Sequence, residues 1–144
     1  MGRAGDRRDV PVVPDAFQDL FDAQSFAHFA TLSPDGLPHV TPVWVDYDAD
    51  ANRLEVNTVR GRRKERNVRA DPRVGLSVLD PDNAYRYLSV EGEVTETTTE
   101  GAVAHIDALA RRYMGVDRYP NHDEEAGDRV ILRIRPERIH TSGA

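Results

Sequence analysis

Apolar residues in this chain alternate with polar ones in short runs separated by turn signals, and one stretch alone keeps a substantial helical period. That pattern constrains the fold more than any other feature of the sequence, because a period of two places side chains on opposite faces of a strand. The runs are Phe26–Ser33, Leu37–Tyr47, Arg53–Val59, Val74–Val78, Tyr85–Thr95 and Val130–Ile134, with a last short one near Arg138–Thr141 after Pro136. Pro34-Asp35-Gly36 makes the first two a hairpin, and Asp48–Asn52 and Pro81-Asp82-Asn83 are further turns. Glu91-Gly92-Glu93 marks a bulge. Phe17, Leu20 and Phe21 predict a short amphipathic helix over Pro14–Ala23. Thr97-x-x-Glu100 reads as a capping box opening the main helix, with Ala102, Ile106, Leu109 and Tyr113 on one face. Tyr113–Gly127 reads as a loop. Six or seven short strands with one main helix inserted late predict a mainly β, α+β fold: a closed antiparallel barrel with a few short helices.

At 144 residues the chain fits one domain, expected over 13–144 after a disordered, charged leader at 1–12. There are no cysteines, which excludes a disulfide framework, a thiolate metal site and a cysteine nucleophile. No apolar run approaches the roughly 20 residues that span a bilayer, and Met1–Asp9 lacks an apolar signal core, so the expectation is a cytoplasmic protein without a membrane role.

Charge is unevenly placed. Asn57–Arg73 holds seven basic residues against Glu65 and Asp71, a local charge of +5. The remainder, twelve basic and twenty-three acidic residues, carries −11. Such acidic surroundings oppose nucleic-acid binding, which calls for a broad basic footprint. They favour a local anion site instead. The stretch reads as a strand end, a break at Gly61, and a short helix over Arg62–Ala70 stopped by Asp71-Pro72. A strand, a glycine turn and a helix start offer backbone N–H groups to phosphate, with Arg and Lys adding charge.

Nothing in the sequence supplies acid–base or nucleophilic machinery. His28, His39, His105, His122 and His140 are scattered and none pairs with a ligand at metal spacing, so no metal site is expected; His122-Asp123-Glu124-Glu125 reads as a solvated acidic loop. Gly-x-Ser-x-Gly, Gly-x-Gly-x-x-Gly and P-loop patterns are absent. Trp44, Tyr85, Tyr87 and Tyr47 offer aromatic surface, for which core packing is the plain explanation. An anion site beside aromatics also suits a flat ring with a phosphate arm, in which case a cofactor carries the chemistry.

Two motifs are similar to a known family. Ala30–Val45 resembles the opening hairpin of the pyridoxamine 5′-phosphate oxidase-like split-barrel superfamily. Thr58-x-x-Gly61-Arg62-x-Lys64-x-Arg66-Asn67-x-x-x-Asp71-Pro72-Arg73, followed by Val78 and Val90-Glu91-Gly92, resembles its actinobacterial branch that uses the deazaflavin coenzyme F420. The similarity covers Phe17–Ile139. It implies a six-stranded antiparallel split β-barrel of the FMN-binding type and a homodimer with cofactors at the subunit interface. By the same resemblance Arg62 and Lys64 hold the cofactor phosphate, with Asn67 in the same motif and Asn57 close by. Thr41, Pro42 and Val43 back the ring, and Tyr85 and Tyr87 reach in from the partner subunit. Pro42 departs from the Asn or Ser of many relatives and removes one backbone N–H. Arg63 and Arg66 are further cations for a charged tail, and the surplus around Lys64 suits the carboxylate-rich glutamyl chain of F420 better than FMN alone.

The expected activity is F420-dependent hydride transfer to a small conjugated organic substrate, with Tyr87, His39 or solvent as proton source. The alternatives are an FMN-binding oxidase or reductase of the same fold, and a non-catalytic cofactor- or tetrapyrrole-binding protein. Substrate contacts are expected from the Met114–Asp128 loop.

Overall fold

The computed structural model describes residues 10–121 and 127–143. The leader expected at 1–12 lies outside them up to residue 9, as does His122–Glu125. Pro11 is already tied down: its carbonyl accepts the Asn52 side-chain amide at 3.0 Å.

Seven strands form one antiparallel sheet: β1 (Ala27–Leu32), β2 (Pro38–Val43), β3 (Asp46–Asp48), β4 (Arg53–Val59), β5 (Arg73–Asp80), β6 (Asn83–Thr98) and β7 (Arg129–Ser142). Their order is β2-β1-β5-β6-β7-β4-β3. The edge strands β2 and β3 are consecutive in sequence, separated by Trp44 and Val45 alone. Laid flat, they would stand about 29 Å apart at about 4.8 Å per strand. Two residues bridge no more than about 11 Å. The sheet therefore curls until its edges meet. The result is a split barrel: the edges are neighbours in space but share no hydrogen-bond ladder, so the barrel is not closed.

Three sequence expectations are corrected here. Leu37–Tyr47, expected as one longer strand, is two strands, because the chain leaves one sheet edge at Val43 and rejoins the opposite edge at Asp46. The runs either side of Pro136 are one strand, β7. Pro136 sits opposite Gly92, where the β6–β7 register shifts, and a bulge is where a strand accommodates proline. The bulge expected at Glu91–Glu93 falls at this place. The capping box does not form: Thr97 and Thr98 stay in β6, and α2 (Ala102–Met114) starts after Gly101 at φ +74°, with no side-chain cap.

Inside the barrel lie Phe29, Leu54, Val56, Val78, Leu88, Val90, Leu132 and Ile134, all buried. The short amphipathic helix expected over Pro14–Ala23 is the 3₁₀ helix Asp15–Phe21, which closes one end with Phe17, Leu20 and Phe21. Helix α1 (Arg63–Ala70) packs on β1 and β4, and α2 on β4 and β7. Among the described residues no helix is long and apolar enough to cross a membrane.

Candidate functional site

The +5 segment folds as a turn and one short helix, and its geometry is set by buried polar contacts. Gly61 takes φ +95°, which a residue with a side chain rarely adopts. Its N–H donates to the Glu65 carboxylate at 2.8 Å, and Glu65 is 2% exposed. The Arg69 hydrogen bond, opposed by burial and assisted by the Gly61 N–H, holds the Glu65 carboxyl below its usual range. Asn67 points inward and donates to Thr31 Oγ1 at 3.0 Å, fastening α1 to β1. The turn's backbone donors are thus already used: Arg60 N–H bonds Asp128 O and Arg62 N–H bonds Val59 O. Cationic side chains, rather than turn amides, are what this segment offers a ligand.

Arg62 and Lys64 project into a cleft of about 260 Å³ between the β2–β3 seam, the end of β4 and α2. Phe26, Trp44, Ile106, Leu109 and Tyr119 give it an apolar wall, with Pro42 and Val43 beside them. Asn57, Thr58, Arg62, Lys64 and Arg129 give it a polar end. Trp44 is held flat: Tyr113 stacks on it at 5.1 Å and 12°, and Tyr119 meets it edge-on at 6.1 Å. Tyr113 is itself fixed by donating its hydroxyl to Ser25 O and accepting the Val45 N–H. The Arg129 guanidinium lies over the Tyr119 ring at 4.6 Å. Burial, then the neighbouring Arg62 charge, pushes the Lys64 ammonium below its usual value. Thr58 carries a buried hydroxyl without a hydrogen-bond partner.

Of the residues singled out by sequence, Pro42, Val43, Asn57, Arg62 and Lys64 come together in this cleft. Thr41 lies next to it in β2, its hydroxyl buried and unpartnered. Asn67 does not reach it. Tyr85 and Tyr87 lie on β6, 85% and 37% exposed, away from the cleft of this chain. Tyr47 packs in the core against Phe21, so Trp44 is the one member of the expected aromatic group at the site. His39, weighed as a proton source, is not among the lining residues; burial, then the Arg63 and Lys64 charges, lowers its pKa, which leaves it neutral at neutral pH. Arg63 and Arg66 line a separate concavity with Ser33, Pro34 and Asp35, where Arg63 donates to Ser33 Oγ at 2.9 Å.

Tyr119 and Arg129 were not legible as site residues. Nor was the cluster behind the cleft, where Asp46, Glu55 and His105 bring ligand-type atoms within 4.8 Å of one another, the one such group among the described residues. Scanning for metal spacing misses it because the three come from three elements. A signal did exist: Asp46 and Glu55 face each other directly in the β3–β4 hairpin, a like-charge pairing that needs a cation or a donor between them. Arg112 pairs with Asp46 and Arg133 with Glu55. Burial raises the Asp46 pKa, but hydrogen bonds from His105 and Arg112 outweigh it and hold the carboxyl at about 2. Burial pushes the Glu55 carboxyl upward, against the opposing Arg133 charge.

A sequence profile described as pyridoxamine 5′-phosphate oxidase matches residues 13–143. An F420H(2)-dependent biliverdin reductase of Mycobacterium tuberculosis is 32% identical over 114 residues, spanning 78% of this chain and 76% of the relative. Among solved structures, one named F420 reductase superposes with a TM-score of 0.76 at 37% identity, covering 89% of this chain and 98% of that one. A conserved hypothetical protein of M. tuberculosis superposes with a TM-score of 0.71 at 26% identity, covering 99% and 89%.

Proposed function

The chain belongs to the pyridoxamine 5′-phosphate oxidase family, and we propose that it is an F420-dependent oxidoreductase moving a hydride between the deazaflavin and a small conjugated organic substrate. The observation that carries this reading is the union, in one cleft, of an immobilised indole wall with three cationic side chains, Arg62, Lys64 and Arg129. Such a site fits a flat ring with an anionic arm. Lys64 supports the fit, since a half-buried ammonium beside Arg62 is relieved by an anion. The unpartnered Thr58 hydroxyl supplies an unused donor at the same end.

When bound, the deazaflavin supplies the hydride chemistry. The chain's part is to bind, orient and exclude water. Arg62, Lys64 and Arg129 hold the anionic arm by charge-assisted hydrogen bonds. Trp44, kept from turning by Tyr113, and Phe26, Ile106 and Leu109 present an apolar surface that keeps the ring in one plane. Positioning two reactants in this way is itself a source of rate. Tyr119, in the segment that follows α2, lines the cleft, where a substrate would lie against it. The relatives named for F420 support this cofactor over FMN, as does the surplus of cations around Lys64.

The same reading holds that two copies associate. The outer face of β1, β2, β5 and β6 carries Ala30, Val40, Gly75, Ser77 and Ser89, with Tyr85 and Tyr87 exposed beside them. The uncharged patch is bounded at one end by Arg73, Glu91 and Glu93, which share its side of β5 and β6, and a patch of this kind with a charged rim suits burial against a second copy.

Titration with F420 and then FMN, read by fluorescence, tests the proposal. The expected result is saturable F420 binding with weaker FMN binding, and a loss of roughly a hundredfold in F420 affinity for Arg62→Ala with Lys64→Ala, from two charged hydrogen-bond donors. Unchanged affinity in that double variant overturns it.

A further inference from the structure

Behind the cleft, a hydrogen-bond chain leads from Arg129 through Asn57 to His105, and its direction is fixed by the chemistry of its members. Asn57 Oδ1 accepts from Arg129 Nη1 at 3.0 Å, and Asn57 Nδ2 donates to the Ala102 carbonyl at 2.8 Å. A guanidinium has no acceptor and a carbonyl no donor, so the amide cannot be turned over. The second Nδ2 hydrogen then points at His105 Nδ1, 3.0 Å away. His105 Nδ1 must therefore accept, which places the ring hydrogen on Nε2. That nitrogen is buried without a closer partner and faces Asp46 Oδ2 at 3.5 Å and Glu55 Oε1 at 3.6 Å. Donation thus runs one way, from Arg129 through Asn57 to His105, whose Nε2 faces carboxylates paired with Arg112 and Arg133. The same tautomer leaves no lone pair on Nε2 for a metal ion, so the Asp46–Glu55–His105 cluster is a terminus for this chain and not a cation site.

We propose that His105 is a positioning residue for anion recognition: by accepting the Asn57 amide at Nδ1 it locks the Asn57 carbonyl onto Arg129 and so aims that guanidinium into the cleft. The proposal rests on the reading of the cleft as the site of an anionic cofactor. His105 itself is screened from the cleft, for it is Ile106 and Leu109 of α2 that line it. Without His105 Nδ1, the second Asn57 N–H loses its acceptor, the amide becomes free to tilt, and Arg129 loses a fixed acceptor, though it keeps its contact with the Tyr119 ring.

Calorimetric titration of the full chain tests this with two probes: intact F420, and the same deazaflavin stripped of its phosphate and tail. His105→Leu removes the acceptor at similar size and is expected to weaken F420 by about tenfold, the scale of one hydrogen bond to a charged group, while the stripped ring binds as before. His105→Asn keeps an acceptor near the Nδ1 position and is expected to restore F420 affinity. Arg129→Gln is expected to lose a similar factor, and the His105→Leu/Arg129→Gln pair no more than the larger single loss, because both act through one contact. Additive losses, or equal weakening of both probes, overturn the proposal. The ring 15N shifts of His105 in the unliganded wild-type protein give a readout independent of any cofactor: an Nδ1–H tautomer overturns the relay. If wild-type protein binds no F420 while the Nε2–H tautomer is seen, the cofactor reading fails and the relay geometry stands.

Discussion

At the scale of single residues, Asp46 is the group whose ionisation the fold depends on most visibly. Its carboxyl lies at about 2 in the folded protein against an ordinary 3.8. A depressed folded pKa means stabilisation that is complete above the unfolded value and lost as the pH falls through the folded one. That stabilisation is on the order of 2 kcal/mol. Asp46→Asn should therefore lower stability by about this amount at neutral pH. The gap to wild type should close between about pH 4 and pH 2, as measured by urea midpoints across that range. Glu55, raised by burial, works in the opposite direction, and Glu55→Gln should not reproduce the effect. Residues of this kind were the least legible in the sequence. Arg62 and Lys64 could be found because their charge is concentrated in one local segment. Asp46, His105 and Arg129 could not, because each acts through neighbours brought in from other elements.

At the scale of elements, the two long strands decide the curvature. β6 and β7 run 16 and 14 residues, and their mutual register shifts at Glu91/Gly92 and again at Val94/Glu96. Each shift bends the pair around the core. Gly92 is required at the first of these because a Cβ there would stand 2.5 Å from the Arg135 carbonyl oxygen. Gly92→Ala is expected to cost about 2 kcal/mol or more through forced backbone movement, seen as a lower melting temperature without loss of β content in circular dichroism. Strand identity was readable from alternation, and the bulge from Glu-Gly-Glu. What alternation could not show was which edge a strand joins: Leu37–Tyr47 carries no Gly or Asp turn signal at Trp44 and Val45, where the chain crosses from one edge of the sheet to the other. The capping box misled for a related reason, since the pairing of Thr97 and Thr98 with β7 outcompetes a local helix start.

At the scale of the whole molecule, the uncharged patch on the outer face of β1, β2, β5 and β6 predicts a dimer at micromolar concentration by sedimentation. Val40→Glu, which places a charge on that patch opposite Ala30, should shift the equilibrium towards monomer, and F420 affinity should fall with it if the partner's Tyr85 and Tyr87 complete the site. A monomeric wild type would remove that assembly. Within one copy, the seam between β2 and β3 is closed without a ladder. Arg112 donates to the Val45 carbonyl at 2.9 Å, the Tyr113 hydroxyl accepts the Val45 N–H, and both side chains come from α2. The barrel is thus a hoop fastened by a clasp, and the clasp stands beside the cleft. Because Trp44 and Val45 already join the two ends of the hoop, the clasp sets the lie of the joint rather than its span, and with it the angle at which the Trp44 indole faces the cleft. Loosening Arg112 or Tyr113 would disturb that angle while every backbone rung stays intact.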